Sequence, residues 1–195
     1  MSQVSIPVQT KIIIIEGIAG SGKNTLQKSI AGILKSKAVC SFSEEELLFG
    51  WKHFWIPAIG TLRLELMESM IEYVEKTIYE HTDSVFVFNR FHISFLLFNT
   101  VPHDRQRYDA LLSRLRTLPT MIFVPTLSEV EIGERTQHRE RKDVVWKQHQ
   151  KKRMYTGGFD SLTSMYDAEQ AQIKKLLQEQ NIPYQLVHVE ADTIQ

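Results

Sequence analysis

Nine residues carry the clearest chemical signal: Gly17-Ile-Ala-Gly20-Ser21-Gly22-Lys23-Asn24-Thr25. Their spacing is Gly-x4-Gly-Lys. Glycines at this spacing let successive backbone N–H groups turn inward around an anion, and a helix that starts at the last glycine adds partial positive charge. Lys23 extends from the same turn to the terminal phosphates of a nucleotide. The residue after the lysine is ordinarily Ser or Thr, whose hydroxyl ligates Mg²⁺. Here it is Asn24, followed by Thr25. Either side chain offers an oxygen, so Asn24 and Thr25 are the candidate metal ligands on this loop.

The motif needs a strand before it and a helix after it, and the flanking pattern supplies both. Lys11-Ile-Ile-Ile-Ile-Glu16 is an apolar burst without alternation, as in a strand buried on both faces. Leu26, Ile30, Ile33 and Leu34 then share one helical face. Further strands are predicted at Ala38–Phe42, Ser84–Phe88, Thr120–Val124 (closed by Pro125) and Tyr184–Val189. A long helix is predicted over 64–81, from Leu64, Met67, Ile71, Val74 and Ile78. Another is predicted around Tyr166, Ile173, Leu176 and Leu177, broken by Asn181-Ile-Pro183. Strands alternating with helices imply an α/β doubly wound sheet, in which ligands sit beyond the carboxyl ends of the strands.

Composition limits the partners. Lys+Arg and Asp+Glu both number 23 in 195 residues, so no global field draws the chain to nucleic acid or membrane, and an anion site must be local. No segment reads as a signal peptide or a membrane span, which fits a cytoplasmic protein. The lone cysteine, Cys40, lies in an apolar stretch and is expected to be a buried small hydrophobe. His92, His138 and His149 lack metal-ligand spacing, and structural or solvated histidine is the expectation.

Three segments together resemble the thymidylate kinase and deoxynucleoside kinase group of P-loop kinases. Glu16-Gly-Ile-Ala-Gly-Ser-Gly-Lys-Asn-Thr-Leu-Gln27 is similar to that group's EGxxGxGKxTxQ. Val87-Phe-Asn-Arg-Phe-His-Ile-Ser94 resembles its Asp-Arg-Tyr-x-x-Ser, or the Glu-Arg-Ser of nucleoside kinases. The arginine-rich Glu134–Arg141 falls where the group carries a lid. The resemblance implies a P-loop NTPase fold: one domain, a five-stranded parallel sheet with helices on both faces, and a helical lid over roughly 127–158.

It also implies roles. Gly17, Gly20, Ser21, Gly22, Lys23, Asn24 and Thr25 would hold ATP. Arg90 would sit on a phosphate or on the acceptor, a task suited to a guanidinium fork. Asn89 stands where the group has Asp or Glu as a metal-water ligand or acceptor contact, and an amide adds no negative charge for Mg²⁺. Glu44, ahead of Glu45, would orient the acceptor hydroxyl; the alternative is an acidic first helical turn capped by Ser43. Trp51, in a cluster with Phe54 and Trp55, would stack on the acceptor base or belong to a core. Arg63 would hold an acceptor phosphate or simply face solvent. Arg135 and Arg139, with Arg141, would close over the donor phosphates or form a solvated ion-pair helix with their interleaved glutamates. Lys151, Lys152, Arg153 and Gly157-Gly158 suggest a mobile basic segment.

The combined expectation is phosphoryl transfer from ATP with Mg²⁺ to a nucleoside monophosphate, thymidylate first. A deoxynucleoside kinase and a catalytically weak nucleotide-binding protein are the alternatives. A homodimer packed through long helices is implied by the resemblance alone.

Overall fold

The structure, a computed structural model, describes residues 4–44, 46–47, 58–98, 104–142 and 144–188; the side chains of 98, 139–142, 144–146 and 149 are outside this description. In chain order the elements are β1 (Ile12–Ile15), α1 (Lys23–Ile33), β2 (Ala38–Phe42), α2 (Ala58–Glu80), β3 (Ser84–Asn89), α3 (His92–Phe98), α4 (Arg105–Thr117), β4 (Thr120–Thr126), α5 (Glu129–Lys142), α6 (Val144–Thr156), α7 (Leu162–Gln180) and β5 (Tyr184–His188). The five strands form one parallel sheet in the order β2-β3-β1-β4-β5.

The sheet has two unequal faces. Ile13 and Ile15 of β1, with Val85, Val87 and Phe123, pack under Leu26 and Ile30 of α1. Ile12 and Ile14, with Phe86, Phe88, Ile122 and Val124, meet a far larger layer built from α2, α3, α4 and α7, with single residues from α5 and α6. All four isoleucines of β1 are fully buried, which explains why the burst shows no polar alternation.

Several expectations change. Cys40 is exposed. It lies on β2, an edge strand that pairs with β3 alone, so its burst of apolar residues is only partly covered. Ile33 is also exposed, because α1 needs only a narrow apolar stripe against the sheet. Strand β4 runs through Pro125 to Thr126 rather than closing at Val124. Its ladder with β1 ends at Phe123, and beyond that it pairs only with β5, so a residue without an N–H is tolerated there. The long helix starts earlier than predicted, at Ala58, and the residues read as a mobile basic segment, Lys151 to Arg153, lie within α6. No helix among the described residues is long and apolar enough to cross a membrane.

Candidate active site at the carboxyl ends of β1, β2 and β3

The loop leaves β1 at Glu16 and enters α1 at Lys23. Gly17, Gly20 and Gly22 all take positive φ, and Gly22 is the left-handed N-cap of α1. A Cβ on Gly17 would stand 2.9 Å from Ser21 Oγ and 3.3 Å from the Pro125 carbonyl oxygen, so the turn accepts only glycine at that position. Lys23 is buried beneath this turn. Its Nζ donates to the carbonyl oxygens of Ile18 (2.9 Å) and Gly17 (3.3 Å), folding the ammonium back against its own loop. The Ser21 hydroxyl is buried with no hydrogen-bond partner among the described residues.

The β3 end is organised by a different device. Arg90 follows β3 in the left-handed region at φ 69, a conformation that costs a non-glycine residue on the order of 1 kcal/mol. The turn lets the chain enter α3 at once. The side chain that secures it is Glu16, fully buried at the end of β1. One carboxylate oxygen of Glu16 accepts from the backbone N–H groups of Phe91 (2.9 Å), Ile93 (3.2 Å) and Ser94 (3.3 Å); the other accepts from the Ser94 hydroxyl. The orphan donors of the first turn of α3 are thereby satisfied by an anion, the pairing its dipole favours.

Arg90 then links three strand ends. Its Nη1 donates to Ser94 Oγ at 3.2 Å, and its Nε lies 2.6 Å from Glu44 Oε2. The same Glu44 oxygen is 3.9 Å from Lys23 Nζ. Glu44 can reach inward because a neighbour performs the capping. Ser43 N and Oγ donate to Glu46 Oε2 at 2.6 and 2.8 Å, and Glu46 N returns a 3.3 Å bond to Ser43 Oγ. The capping and active-site readings of this acidic turn therefore fall on different residues: Glu46 caps and Glu44 faces Arg90 and Lys23. The Ser43 bonds hold the Glu46 carboxyl below the usual carboxylate range.

Asn89, 3% exposed, lies beside the start of α1. Its Nδ2 donates to Asn24 Oδ1 (2.7 Å) and Gln27 Oε1 (3.0 Å), while its own Oδ1 is buried without a hydrogen-bond partner among the described residues. Thr25, next to Asn24, is half-buried.

From the far side, Arg135 of α5 donates from Nη1 to the Gly20 carbonyl oxygen at 3.0 Å, touching the glycine loop directly. Burial holds its guanidinium below the ordinary arginine range. Helix α5 begins with a second capping box, in which Ser128 and Glu131 exchange bonds, so this glutamate serves the helix start. Behind α5, Arg153 of α6 donates to Gln150 at 2.7 Å and pairs with Glu169 of α7. Burial pushes the Glu169 carboxyl up, and Arg153, Arg90 and Lys23 pull it the other way, which places Glu169 within the field of the site. Arg63 is 3% exposed in α2 rather than on a solvent face, and burial lowers its pKa.

Lys23, Glu44, Arg90, Asn89, Asn24 and Arg135 thus converge on the loop. Trp51, Phe54, Trp55 and Glu45 lie outside the described residues, as do the side chains of Arg139 and Arg141. The residues that the motif reading left without a role are Glu16, Gln27 and Ser94. All three stand within the quoted segments, so their signal was position in the pattern, not any chemistry legible on its own. His92 is fully buried with Nε2 2.8 Å from Gln180 Oε1, and burial lowers its pKa. Among the described residues, no group of three or more His, Cys, Asp or Glu side chains could hold a metal ion.

Neither a protein-family model nor a curated protein matches the sequence. Solved structures do match. The chain superposes on the YorR protein of Bacillus subtilis, solved in complex with phosphorylated GDP, with TM-score 0.58 at 12% identity over 91% of this chain and 85% of that one. It superposes on a thymidylate kinase from Candida albicans with TM-score 0.53 at 17% identity over 94% of this chain and 85% of that one. The fold is that of the thymidylate kinase group. The all-parallel sheet with its loop at the β1 end is a P-loop NTPase-like fold, as the sequence pattern implies.

Proposed function

We propose that the chain is a P-loop phosphotransferase that moves the terminal phosphoryl group of ATP to a nucleoside monophosphate, with thymidylate the first acceptor to test. The observation that carries this reading is the convergence of Lys23, Arg90 and Arg135 on one loop, with Glu44 Oε2 2.6 Å from Arg90 Nε and 3.9 Å from Lys23 Nζ. Phosphoryl transfer asks little covalent chemistry of a protein. It needs the donor and acceptor aligned and the charge on the transferred group compensated. The loop N–H groups and Lys23 bind the donor phosphates. Arg90 and Arg135, with Arg139 from the same helix, carry the compensating charge, and α5 with α6 forms the lid. Glu44 orients the acceptor hydroxyl. Arg63 and Trp51 are assigned to the acceptor phosphate and base, and Asn89 to the acceptor side of the cleft.

The similarity to a thymidylate kinase and to a protein that holds a guanine nucleotide supports the nucleotide class. The resemblance further supports a homodimer. No step of this reading runs through Mg²⁺, because the amides at its expected place do not fit it. Those same amides favour a second reading, a nucleotide-binding protein of low turnover.

Purified protein incubated with ATP and a panel of monophosphates and nucleosides decides between them. Acceptor-dependent ADP release, greatest with thymidylate, is the expected result. Release only with nucleosides moves the acceptor to the deoxynucleoside class. Tight ATP binding with no acceptor-dependent ADP leaves the low-turnover reading.

A further inference from the structure

We propose that this chain binds its nucleotide free of any divalent cation, with fixed amide and cationic side chains compensating the phosphates; the inference rests on the nucleotide-binding reading above. Amide groups surround the metal's expected place. Asn24 and Asn89 hold the two positions where P-loop kinases carry a hydroxyl and a carboxylate. Asn89 Nδ2 donates to Asn24 Oδ1 at 2.7 Å and to Gln27 Oε1 at 3.0 Å. An N–H₂ group, the positive end of the amide, therefore stands where a carboxylate would face the ion. A cation approaching either oxygen meets those hydrogens. The remaining amide oxygen, Asn89 Oδ1, is buried. Mg²⁺ gives up its water reluctantly and keeps several water ligands in nucleotide sites, so a buried single oxygen does not suit it.

The nearby carboxylates are committed elsewhere. Glu16 caps α3 through four bonds, Glu44 faces Arg90 and Lys23, and Glu169 pairs with Arg153. Thr25 contributes one neutral hydroxyl. Among the described residues, no further carboxylate stands at this place to offset a dication that would sit beside Lys23 and Arg90, where like charges repel.

The same arrangement suits a bare polyphosphate. Because Asn24 Oδ1 is engaged by Asn89, its Nδ2 is turned the other way, as an N–H donor on an exposed residue at the first turn of α1. Three cations then ring the loop. Lys23 and Arg135 already touch loop carbonyls, at Ile18 and Gly20, and Arg90 lies beside Glu44. A nucleoside triphosphate without metal carries the most negative charge and is the form this set matches best.

Calorimetric titration of ATP into the full chain, in EDTA and in excess MgCl₂, tests the inference. The expected result is an affinity in EDTA equal to or tighter than that in Mg²⁺. Asn89→Asp should weaken binding in EDTA about tenfold and make it recover with Mg²⁺, because it restores the carboxylate. Asn24→Thr, on the exposed side of the pair, serves if the buried change unfolds the protein, and should shift the preference toward Mg²⁺ in the same direction. Wild-type binding at least tenfold tighter in Mg²⁺ overturns the inference and leaves the nucleotide reading standing. ATP bound in neither buffer overturns both.

Discussion

The ends of β1 and β3 lie side by side in the sheet, yet they are built on different principles. The glycine loop after β1 is held by backbone geometry. Three glycines adopt positive φ, and Lys23 bonds to the carbonyls of its own turn. The β3 end is held by side chains from elsewhere. Glu16 caps α3, Ser94 joins Glu16 to Arg90, Glu44 arrives from the end of β2, and Asn89 reaches to α1. The backbone-held region keeps the glycines and the lysine of the kinase pattern but carries Asn24 where the pattern has a hydroxyl. The side-chain-held region keeps the arginine and the serine but carries an amide where the pattern has a carboxylate. The contrast teaches that neighbouring strand ends can be positioned by different forces, one by backbone conformation and the other by side chains from separate elements.

Breaking each region should give different phenotypes. The largest effect is expected from Glu16→Ala. It strands three backbone donors at a buried helix start and removes the anion that secures the Arg90 turn. A loss of about 3–5 kcal/mol follows, or an unfolding midpoint lower by roughly 10 °C. Thermal unfolding checks this, and a loss under about 1 kcal/mol would show that α3 does not depend on its cap. Glu16→Gln, which keeps an acceptor oxygen, should fall between that variant and the wild type.

Lys23→Ala should do the reverse. Stability changes by less than about 1 kcal/mol, while nucleotide affinity falls roughly 10- to 100-fold, the worth of a charge-assisted contact. Titration calorimetry separates the two. Unchanged affinity would mean that the loop does not carry the site.

Glu44→Gln sharpens the comparison where the regions meet. Without the carboxylate beside them, Arg90 and Lys23 should hold phosphate a few-fold more tightly. Turnover with a productive acceptor should drop about a hundredfold if Glu44 orients the hydroxyl. Equal turnover would reduce Glu44 to a charge partner of Arg90.

The smallest effect concerns His92, at the first turn of α3. Burial sets its folded pKa below the ordinary 6.5, so the folded state binds fewer protons than the unfolded chain. Its contribution to stability is complete above pH 6.5 and is lost as the pH falls through the folded value. Wild-type protein should therefore lose stability below pH 6.5 more steeply than His92→Gln. Parallel curves in urea unfolding would contradict the buried neutral imidazole.

What was legible from sequence follows the same division. The β1 burst, the glycine spacing and the order of strands and helices are local patterns, and they specify a parallel sheet with a glycine loop after its first strand before any contact is known. The limits of local reading appear at Cys40 and Pro125. An apolar residue in a strand is buried or exposed according to whether that strand lies at an edge, and a proline is tolerated according to where the neighbouring ladder stops. Neither is written in the residue itself.

The sequence by itself determined that Gly17 to Thr25 forms a glycine turn between a buried strand and a helix, because glycine spacing and the flanking apolar pattern are properties of the chain alone. It also placed Arg90 and Glu44 at strand ends. Only the tertiary structure decided that Glu46 caps while Glu44 turns to Arg90, that Glu16 anchors α3 across 75 residues of sequence, and that Asn89 donates its amide to Asn24 and Gln27. Carboxylates and amides take their roles from the partners that packing brings within about 3 Å, and those partners come from separate strands and helices.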